Sequence, residues 1–223
     1  MKYFFANWKE NTTYPEAAVL VSRLRDAWAA GDSSAGTLVI LPPTVFLIPL
    51  YNDLNGSSIL LGVQNISEFE GGAHTGEISA KMVRPYAKYC LLGHSERRAA
   101  CGETGQAVNR KIGICVKEGI APLVCVSSLE QIPDFPTGHL GLDIFIVYEP
   151  LAYIGGEETQ ELGKIIEFSE AAKSRTGSKF IYGGSVNDKN ATELLKEPSI
   201  DGLLVGHSSL DAEKFSRIIS FPL

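Results

Sequence analysis

The stretch that best indicates the fold is residues 89–126, YCLLGHSERRAACGETGQAVNRKIGICVKEGIAPLVCV. It opens with a short apolar run at 89–93 and closes with another at 121–126. Between them, residues 104–119 have the apolar spacing of an amphipathic helix. The stretch therefore predicts a strand, a helix and a second strand, and repetition of this unit is typical of a parallel sheet.

The same alternation runs through the rest of the chain. Amphipathic stretches at 15–30 and 159–177 predict two further helices. Eight apolar runs predict strands: KYFFAN (2–7), TLVIL (37–41), SILLGV (58–63), YCLLG (89–93), APLVCV (121–126), DIFIVYE (143–149), KFIYG (179–183) and DGLLVG (201–206). Eight such units in 223 residues indicate a closed (β/α)8 barrel, an α/β fold in one domain over 1–223, although a doubly wound open sheet gives a similar pattern.

One unit of the repeat is incomplete. Between the fifth and sixth predicted strands, SSLEQIPDFPTGHLGL (127–142) contains two prolines and two glycines. Both residue types interrupt helices. We therefore expect a shortened connection there, without a full helix.

The charge balance and the apolar runs exclude several classes of function. The net charge is −6 and the pI about 5.3, so we expect no nucleic-acid partner. The apolar run near the N-terminus is broken by Asn7 and is too short for the core of a signal peptide. Apolar runs also stay below the ~20 residues that span a bilayer. We expect a soluble, cytoplasmic protein with no membrane partner.

Polar residues stand where several predicted strands end. Asn7 ends the first strand, Lys9 follows it, His94 follows the fourth, and Glu149 ends the sixth. In (β/α)8 barrels the reacting groups lie at the carboxyl ends of strands. Alternation along each strand would point these side chains inward, with His94 on the side of Cys90. A cation, an imidazole and a carboxylate would then surround one cavity.

Each of these residues also has a purely structural explanation. Glu149 fits a strand-end carboxylate paired with a surface lysine, and His94 a core or helix-start histidine. However, the apolar segment after Glu149 resembles a cover that excludes water, which suits a carboxylate acting as a base. His94 precedes SERR, a possible helix start, where the helix dipole favours a neutral imidazole.

The remaining motifs indicate phosphate binding without a metal or a cofactor. Glycine-rich turns follow the seventh and eighth strands, where barrels of this kind commonly bind phosphate through backbone N–H groups. YGGSV lacks the spacing of a dinucleotide-binding motif, and the four cysteines lack metal-ligand spacing. A base, a neutral electrophile, a lysine and a phosphate site suit proton transfer beside a carbonyl group.

Five motifs, in order along nearly the whole chain, resemble the triosephosphate isomerase family. They are FANWKEN (5–11), LLGHSERR (91–98), VYEPLAYIGG (147–156), YGGSV (182–186) and DGLLVGHSSL (201–210). The resemblance implies a TIM barrel that interconverts dihydroxyacetone phosphate and glyceraldehyde 3-phosphate without a cofactor. The combination of GHSERR with YEP is highly specific.

The resemblance also implies a role for each matching residue. Glu149 would be the base and His94 the neutral electrophile, with Asn7 and Lys9 steadying the substrate and enediolate. Ser95 and Glu96 would support the site. The resemblance assigns phosphate contacts to Gly155, Ser185, Gly206 and His207. It assigns the lid to Pro150, Leu151, Ala152, Tyr153, Ile154 and Gly156.

The segment EFEGGAHTGEIS (68–79) resembles the family's third loop, which reaches into a partner subunit. Thr75 and Glu77 occupy the matching interface positions. We therefore expect a homo-oligomer, which is a dimer, or a tetramer if the shortened connection leaves apolar surface uncovered.

The chain departs from the family pattern at several positions. Ala152 stands where the family usually has Trp, 156–158 read Gly-Glu-Glu in place of Thr-Gly-Lys, and His207 replaces a glycine. These changes leave open a catalytically impaired barrel that binds a phosphate ligand. A third possibility is another phosphosugar isomerase or an aldolase on the same barrel.

Overall fold

A computed structural model describes residues 1–31, 36–133 and 143–220. In it, eight parallel strands pair in chain order and the first pairs with the last, which closes the barrel. This arrangement confirms the predicted (β/α)8 barrel and excludes the open sheet. The strands are β1 (Lys2–Asn7), β2 (Gly36–Leu41), β3 (Leu60–Val63), β4 (Tyr89–Leu92), β5 (Ala121–Val126), β6 (Phe145–Tyr148), β7 (Lys179–Tyr182) and β8 (Gly202–Val205).

Helices follow the strands and surround the barrel. The predicted helices at 15–30, 104–119 and 159–177 correspond to α1, α5 and α6 in the structure. The last two end at Gly119 and Gly177, which adopt left-handed backbone conformations with φ of 73° and 67°. The helices are α1 (Tyr14–Ala30), α2 (Leu47–Asp53), α3 (Ala80–Val83), α4 (Ser95–Ala100), α5 (Gly105–Glu118), α6 (Leu162–Thr176), α7 (Ala191–Lys196) and α8 (Ala212–Ile219).

Side chains from alternate strand positions fill the barrel interior. This interior cluster contains Tyr3, Phe5, Val39, Leu41, Leu91, Ala121, Leu123, Cys125, Phe145, Val147, Ile181 and Leu204. Two strand glycines allow neighbouring strands to approach closely. A Cβ atom on Gly202 would lie 2.2 Å from the backbone oxygen of Tyr3, and one on Gly62 would lie 2.5 Å from the Leu41 side chain. The interior is therefore a packed core that closes the barrel below the strands' carboxyl ends.

The connection between β5 and β6 lies only partly within the described residues. Residues 134–142, on which much of the expectation of a shortened connection rests, are outside them. The described part, 127–133, contains a single 3-10 turn at Leu129–Gln131. Ile132 and Ile144, on the two sides of the gap, are buried.

The loop at 66–79 projects between β3 and α3 and is braced against α5. Ion pairs join Glu68 to Arg110 and Glu70 to Lys117. The ring of Phe69 stacks on His74 with centroids 3.8 Å apart. Thr75 and Glu77, the predicted interface residues, are exposed on this loop.

Within the described ranges, no helix has both the length and the apolar character needed to cross a bilayer.

Candidate active site

A cavity of about 1050 Å³ lies at the carboxyl end of the barrel. Its lining includes residues that follow five different strands. From the predicted site they are Asn7, Lys9, His94, Glu149, Ile154, Gly155, Gly156, Ser185, Gly206 and His207. The structure therefore brings the predicted reacting groups, the phosphate turns and part of the lid together in one place.

Glu149 and His94 form a buried pair at the bottom of this cavity. Glu149 Oε1 lies 2.9 Å from His94 Nε2, and their side chains are only 2% and 8% exposed. The other carboxylate oxygen, Oε2, accepts a hydrogen bond of 2.9 Å from the backbone N–H of Ser95. The carboxylate thus has a partner for each oxygen, which compensates for its removal from water.

The bonds of His94 define which nitrogen carries its proton. His94 is the N-cap residue of α4, and its Nδ1 accepts a 3.2 Å hydrogen bond from the backbone N–H of Glu96. A nitrogen that accepts a hydrogen bond carries no proton, so this contact indicates the tautomer with the proton on Nε2. That proton points to the Glu149 carboxylate, inside the cavity.

His94 faces the cavity, but the predicted reason for this orientation was wrong. We expected it to share the inward side of Cys90, but Cys90 and Leu92 pack in the outer layer, whereas Leu91 faces the barrel interior. The strand ends at Leu92, and Gly93 adopts a left-handed conformation with φ of 69°. This turn reverses the direction that alternation predicts for His94. The positive φ favours glycine here, and a Cβ atom on Gly93 would also lie 2.6 Å from the Arg98 guanidinium, which would have to shift.

Lys9 is held in an uncommon backbone conformation beside the pair. Its φ is 53°, which non-glycine residues rarely adopt. The Asn7 side chain accepts a 3.1 Å hydrogen bond from the Lys9 N–H, and Gln64 donates one of 2.8 Å to the Lys9 carbonyl oxygen. Its ammonium group forms an ion pair with Glu96. Such local strain is commonly found at functional sites, and here it fixes where the lysine chain begins.

The lid crosses the cavity between β6 and the turn after β7. Pro150 precedes a 3-10 turn at Leu151–Tyr153, and the Leu151 side chain is 64% exposed. Ser185 joins the lid to the β7 turn, because its hydroxyl donates to the Tyr153 oxygen at 2.6 Å and accepts from the Gly156 N–H at 3.0 Å. Ala152, which stands where the family usually has Trp, is exposed.

The predicted phosphate site combines three turns. Gly155 and Ser185 have positive φ values of 76° and 48°, whereas His207 is outside the left-handed region. A histidine in place of the family's glycine therefore causes no left-handed strain at position 207, because this turn begins a 3-10 helix at His207–Leu210. Gly206 lies beside the Lys9 chain, since a Cβ atom there would be 3.6 Å from Lys9 Cε.

Two further residues, Gln64 and Asn187, hold this site and were not predicted from the sequence. Gln64, just after β3, bridges the backbone oxygens of Lys9 and Leu41. Asn187 donates a 2.9 Å hydrogen bond to the carbonyl oxygen of Glu157 in the lid. For Gln64 there was a signal, since it is a polar residue directly after a strand, as Asn7 and Glu149 are at strand ends.

The cysteines are not arranged as reactive groups. Cys90, Cys115 and Cys125 are buried and Cys101 is exposed, all as free thiols. Burial raises the pKa of Cys125 well above its usual range, and the nearby Glu149 carboxylate raises it further. Its thiol is therefore protonated and a poor nucleophile at neutral pH. Among the described residues, no group of three or more His, Cys, Asp or Glu side chains is placed to hold a metal ion.

Comparison with known proteins agrees with this geometry. A family model described as Triosephosphate isomerase matches residues 2–221. A triosephosphate isomerase from Dehalococcoides mccartyi is 40% identical, covering 95% of this chain and 93% of its own. One from Paracidovorax citrulli is 34% identical over 98% of this chain and 97% of its own. A third, from Thermoanaerobacter pseudethanolicus, is 35% identical over 96% and 97%. With matches of this extent, the chain belongs to the triosephosphate isomerase family.

Proposed function

We propose that this chain interconverts dihydroxyacetone phosphate and glyceraldehyde 3-phosphate by proton transfer through an enediolate. The observation that carries the proposal is the buried contact of 2.9 Å between Glu149 and His94 in a cavity also lined by Asn7 and Lys9. The family's reaction is a step of glycolysis and gluconeogenesis. We propose that this protein carries it out in the cytoplasm.

Glu149 acts as the base in this proposal. Its carboxylate takes a proton from the substrate carbon beside the carbonyl group and returns it to the neighbouring carbon. Without substrate, its two oxygens are bonded to the Ser95 N–H and to His94 Nε2. The carboxylate must exchange these bonds for contact with the substrate carbon, and the resulting loss of two partners makes it a stronger proton acceptor.

His94 and Lys9 act on the substrate oxygens. The neutral imidazole donates from Nε2, which leaves Glu149 and hydrogen-bonds to the carbonyl oxygen as negative charge develops there. The Lys9 ammonium group and the Asn7 amide stabilise the same charge. These groups are fixed before the reaction by their backbone contacts, and such preorganised donors stabilise a developing charge more effectively than water does.

Backbone N–H groups of Gly155, Ser185, Gly206 and His207 bind the substrate phosphate in this proposal. The lid of residues 150–156 covers it, and exclusion of water strengthens the electrostatic contacts inside the cavity. The hydrogen bonds of Ser185 to Tyr153 and Gly156 support this assignment, because they join the lid to a phosphate turn.

The change Glu149→Gln tests the proposed base. It removes the proton acceptor at nearly constant volume, so we expect kcat to fall by at least ~10²–10⁴-fold with the fold retained. Steady-state kinetics with glyceraldehyde 3-phosphate measures the effect, and circular dichroism checks the fold. Glu167→Gln, the same chemical change at an exposed position on α6, is the matched control and should leave turnover unchanged. Near-parental turnover of Glu149→Gln would disprove the assignment.

The same assay separates the alternative functions. A catalytically impaired barrel would show no isomerisation by the parent protein while still binding a phosphate ligand. An aldolase needs a lysine that forms a Schiff base, whereas Lys9 lies beyond the end of β1 and is paired with Glu96. Borohydride trapping of a lysine adduct would favour the aldolase.

We further propose a homodimer that assembles through the loop at 66–79, with Thr75 and Glu77 at the interface. The exposure of both residues and the bracing of this loop against α5 support the proposal. A tetramer remains a prediction that rests on the connection between β5 and β6, partly outside the described residues.

A further inference from the structure

Two tyrosines from neighbouring strands meet at one residue near the far end of the lid. Tyr148 is the last residue of β6, and its hydroxyl donates a 3.0 Å hydrogen bond to Gln160 Oε1. Tyr182 is the last residue of β7, and its hydroxyl accepts a 3.1 Å hydrogen bond from the backbone N–H of Gln160. Gln160 thus connects the chain after the lid to the strands on both sides of it.

We propose that the Gln160 side chain is a positioning residue that holds the lid closed over the reaction intermediate. This inference rests on the proposed isomerase function. In this proposal the hydrogen bond between Tyr148 and Gln160 holds the chain just after the end of the lid, and so compensates for the small Ala152 side chain near the start of the lid. Gln160 itself contacts neither substrate nor the reacting atoms.

The two tyrosines are suited to be fixed anchors. Their rings are buried, and Tyr148 stacks on Phe168 of α6 with ring centroids 3.8 Å apart. Burial raises the pKa of Tyr182 to about 12 and also raises that of Tyr148. Both hydroxyls therefore keep their protons at neutral pH. The lid residues after the buried Pro150 are, in contrast, exposed or half-buried, so they supply little packing that would hold them in place.

The Tyr182 hydroxyl also lies next to the predicted phosphate turn. A Cβ atom on Gly184 would be 2.6 Å from this hydroxyl, so glycine is required there for Tyr182 to reach Gln160. Tyr182 therefore contacts both Gln160 and the turn that ends in Ser185. Because Ser185 also bonds to Tyr153 and Gly156, the lid is fastened to the β7 turn on both sides.

The two hydrogen bonds of Gln160 depend differently on its identity. Any residue except proline at position 160 supplies the backbone N–H, whereas the bond from Tyr148 needs a side-chain acceptor of the right length. Leucine has nearly the same size without an acceptor, and glutamate keeps the acceptor. The variants Gln160→Leu and Gln160→Glu therefore separate the side-chain bond from the rest of the lid.

The expected signature is a chemical by-product. If the lid opens while the enediolate is present, the carbon–oxygen bond to phosphate breaks, the enediolate electrons form a new carbon–carbon double bond, and inorganic phosphate leaves. The enol product then rearranges to methylglyoxal. One neutral hydrogen bond changes an equilibrium by about 2- to 10-fold. We expect Gln160→Leu and Tyr148→Phe each to increase methylglyoxal formed per turnover by that factor and to weaken 2-phosphoglycolate binding similarly.

The controls distinguish this role from general destabilisation. Gln160→Glu should stay close to the parent, and the double variant Gln160→Leu/Tyr148→Phe should be no worse than the poorer single variant, since both remove one bond. Gln106→Leu, the same change at an exposed position on α5, is the matched control. Thermal melting of every variant checks that the fold is retained.

The inference is overturned if the parent enzyme isomerises its substrate and Gln160→Leu has the same methylglyoxal yield per turnover and the same 2-phosphoglycolate affinity as the parent. A parent without isomerase activity would instead contradict the proposed function. In that case amide hydrogen exchange over residues 154–160 tests, without any catalytic readout, whether the Gln160 side chain holds the lid in place. Faster exchange in Gln160→Leu than in Gln160→Glu supports the fastening, and equal exchange refutes it.

Discussion

At the scale of single residues, Thr12 has an unfavourable backbone conformation. Its φ is 75°, a left-handed conformation that is most unfavourable for β-branched side chains. Thr12 follows the turn that carries Lys9 into the active site, so the chain has to reverse direction here. Relief of this conformation gains ~1–2 kcal/mol. The extra freedom of a glycine in the unfolded chain offsets ~0.5–1 kcal/mol of that gain.

We therefore expect Thr12→Gly to stabilise the protein slightly, with a rise in Tm of ~1–4 °C. Thermal denaturation at fixed protein concentration measures it. Thr13→Gly is a sharp control because Thr13 has an ordinary φ of −93° and its hydroxyl and N–H both donate to Glu16. That variant should lower Tm. A lower Tm for Thr12→Gly as well would mean that its side-chain packing outweighs the backbone cost.

Glu16 gives a prediction about pH dependence at the same scale. The hydrogen bonds from the Thr13 backbone and hydroxyl lower the pKa of Glu16 from its ordinary value of 4.5. A carboxyl group with a lower pKa in the folded state stabilises that state above the unfolded pKa and loses this effect as pH falls through the folded pKa. We expect Glu16→Gln to lower Tm at neutral pH and the difference from the parent to shrink below pH 4.5. A difference independent of pH would contradict this account.

At the scale of secondary-structure elements, the sequence was a good guide to strands and a poor guide to what happens after them. Apolar runs identified all eight strands, because a strand buried on both faces has an unmistakable pattern. The direction of His94 was not predictable by alternation, since Gly93 ends the strand and turns the chain. Gln64 and Gln160 were missed because their contacts join residues distant in the chain, and an isolated glutamine looks like a solvated one.

A buried ion pair between Lys111 on α5 and Glu103, just before that helix, connects the stability of the helix to the active site. Glu103 and Lys111 pair with side chains only 3% and 6% exposed, and Lys111 also donates to Asn65 at 2.8 Å. The Glu103 carboxylate also accepts a 3.1 Å hydrogen bond from the N–H of Gly93, the residue that turns His94 inward. The pair therefore holds both α5 and the backbone that orients the electrophile.

We expect Lys111→Met to destabilise the fold by up to ~3–5 kcal/mol, because it leaves the buried Glu103 carboxylate with only its 3.5 Å ion pair to the half-buried Arg97. Lys117→Met on the same helix breaks the exposed pair with Glu70 and should cost much less stability, because water and salt screen that pair. Urea denaturation at equal protein concentration compares the two. Adding Glu103→Gln to Lys111→Met should recover part of the loss, and equal costs for the two lysine variants would contradict the importance of burial here.

At the scale of the whole molecule, the exposed large apolar side chains within the described ranges are unevenly distributed. Apart from Leu151 in the lid and Met1, they lie within residues 14–78 and at Met82. Val45 and Ile48 are 76% and 52% exposed near and on α2, and Met82 is 64% exposed on α3. The ring contact between Tyr51 and Tyr86 joins these two neighbouring regions. An apolar patch of this kind is typical of a protein interface.

The position of this patch favours a two-fold dimer that includes the 66–79 loop. The loop leads directly into α3, and Phe69 on it is 45% exposed. On a two-fold axis the same patch from each copy forms the interface, so one surface change affects both sides. The loop follows β3, whereas Lys9 and Glu96 follow β1 and β4. A dimer through this loop would therefore place its interface at the same end of the barrel as the active site.

We expect the parent protein to be a dimer and the double variant Ile48→Lys/Met82→Lys to be a monomer with reduced activity. Each copy would bring two lysines against the partner's apolar patch, where charge is desolvated without a counterion. Multi-angle light scattering measures the mass, and activity measured against dilution reports whether the parent also loses turnover on dissociation. Val19→Lys, a charge at a 58% exposed apolar position on α1, is the control and should stay dimeric. A fully active monomeric parent would contradict the dimer, whereas a dimeric double variant would move the interface to another face of the barrel.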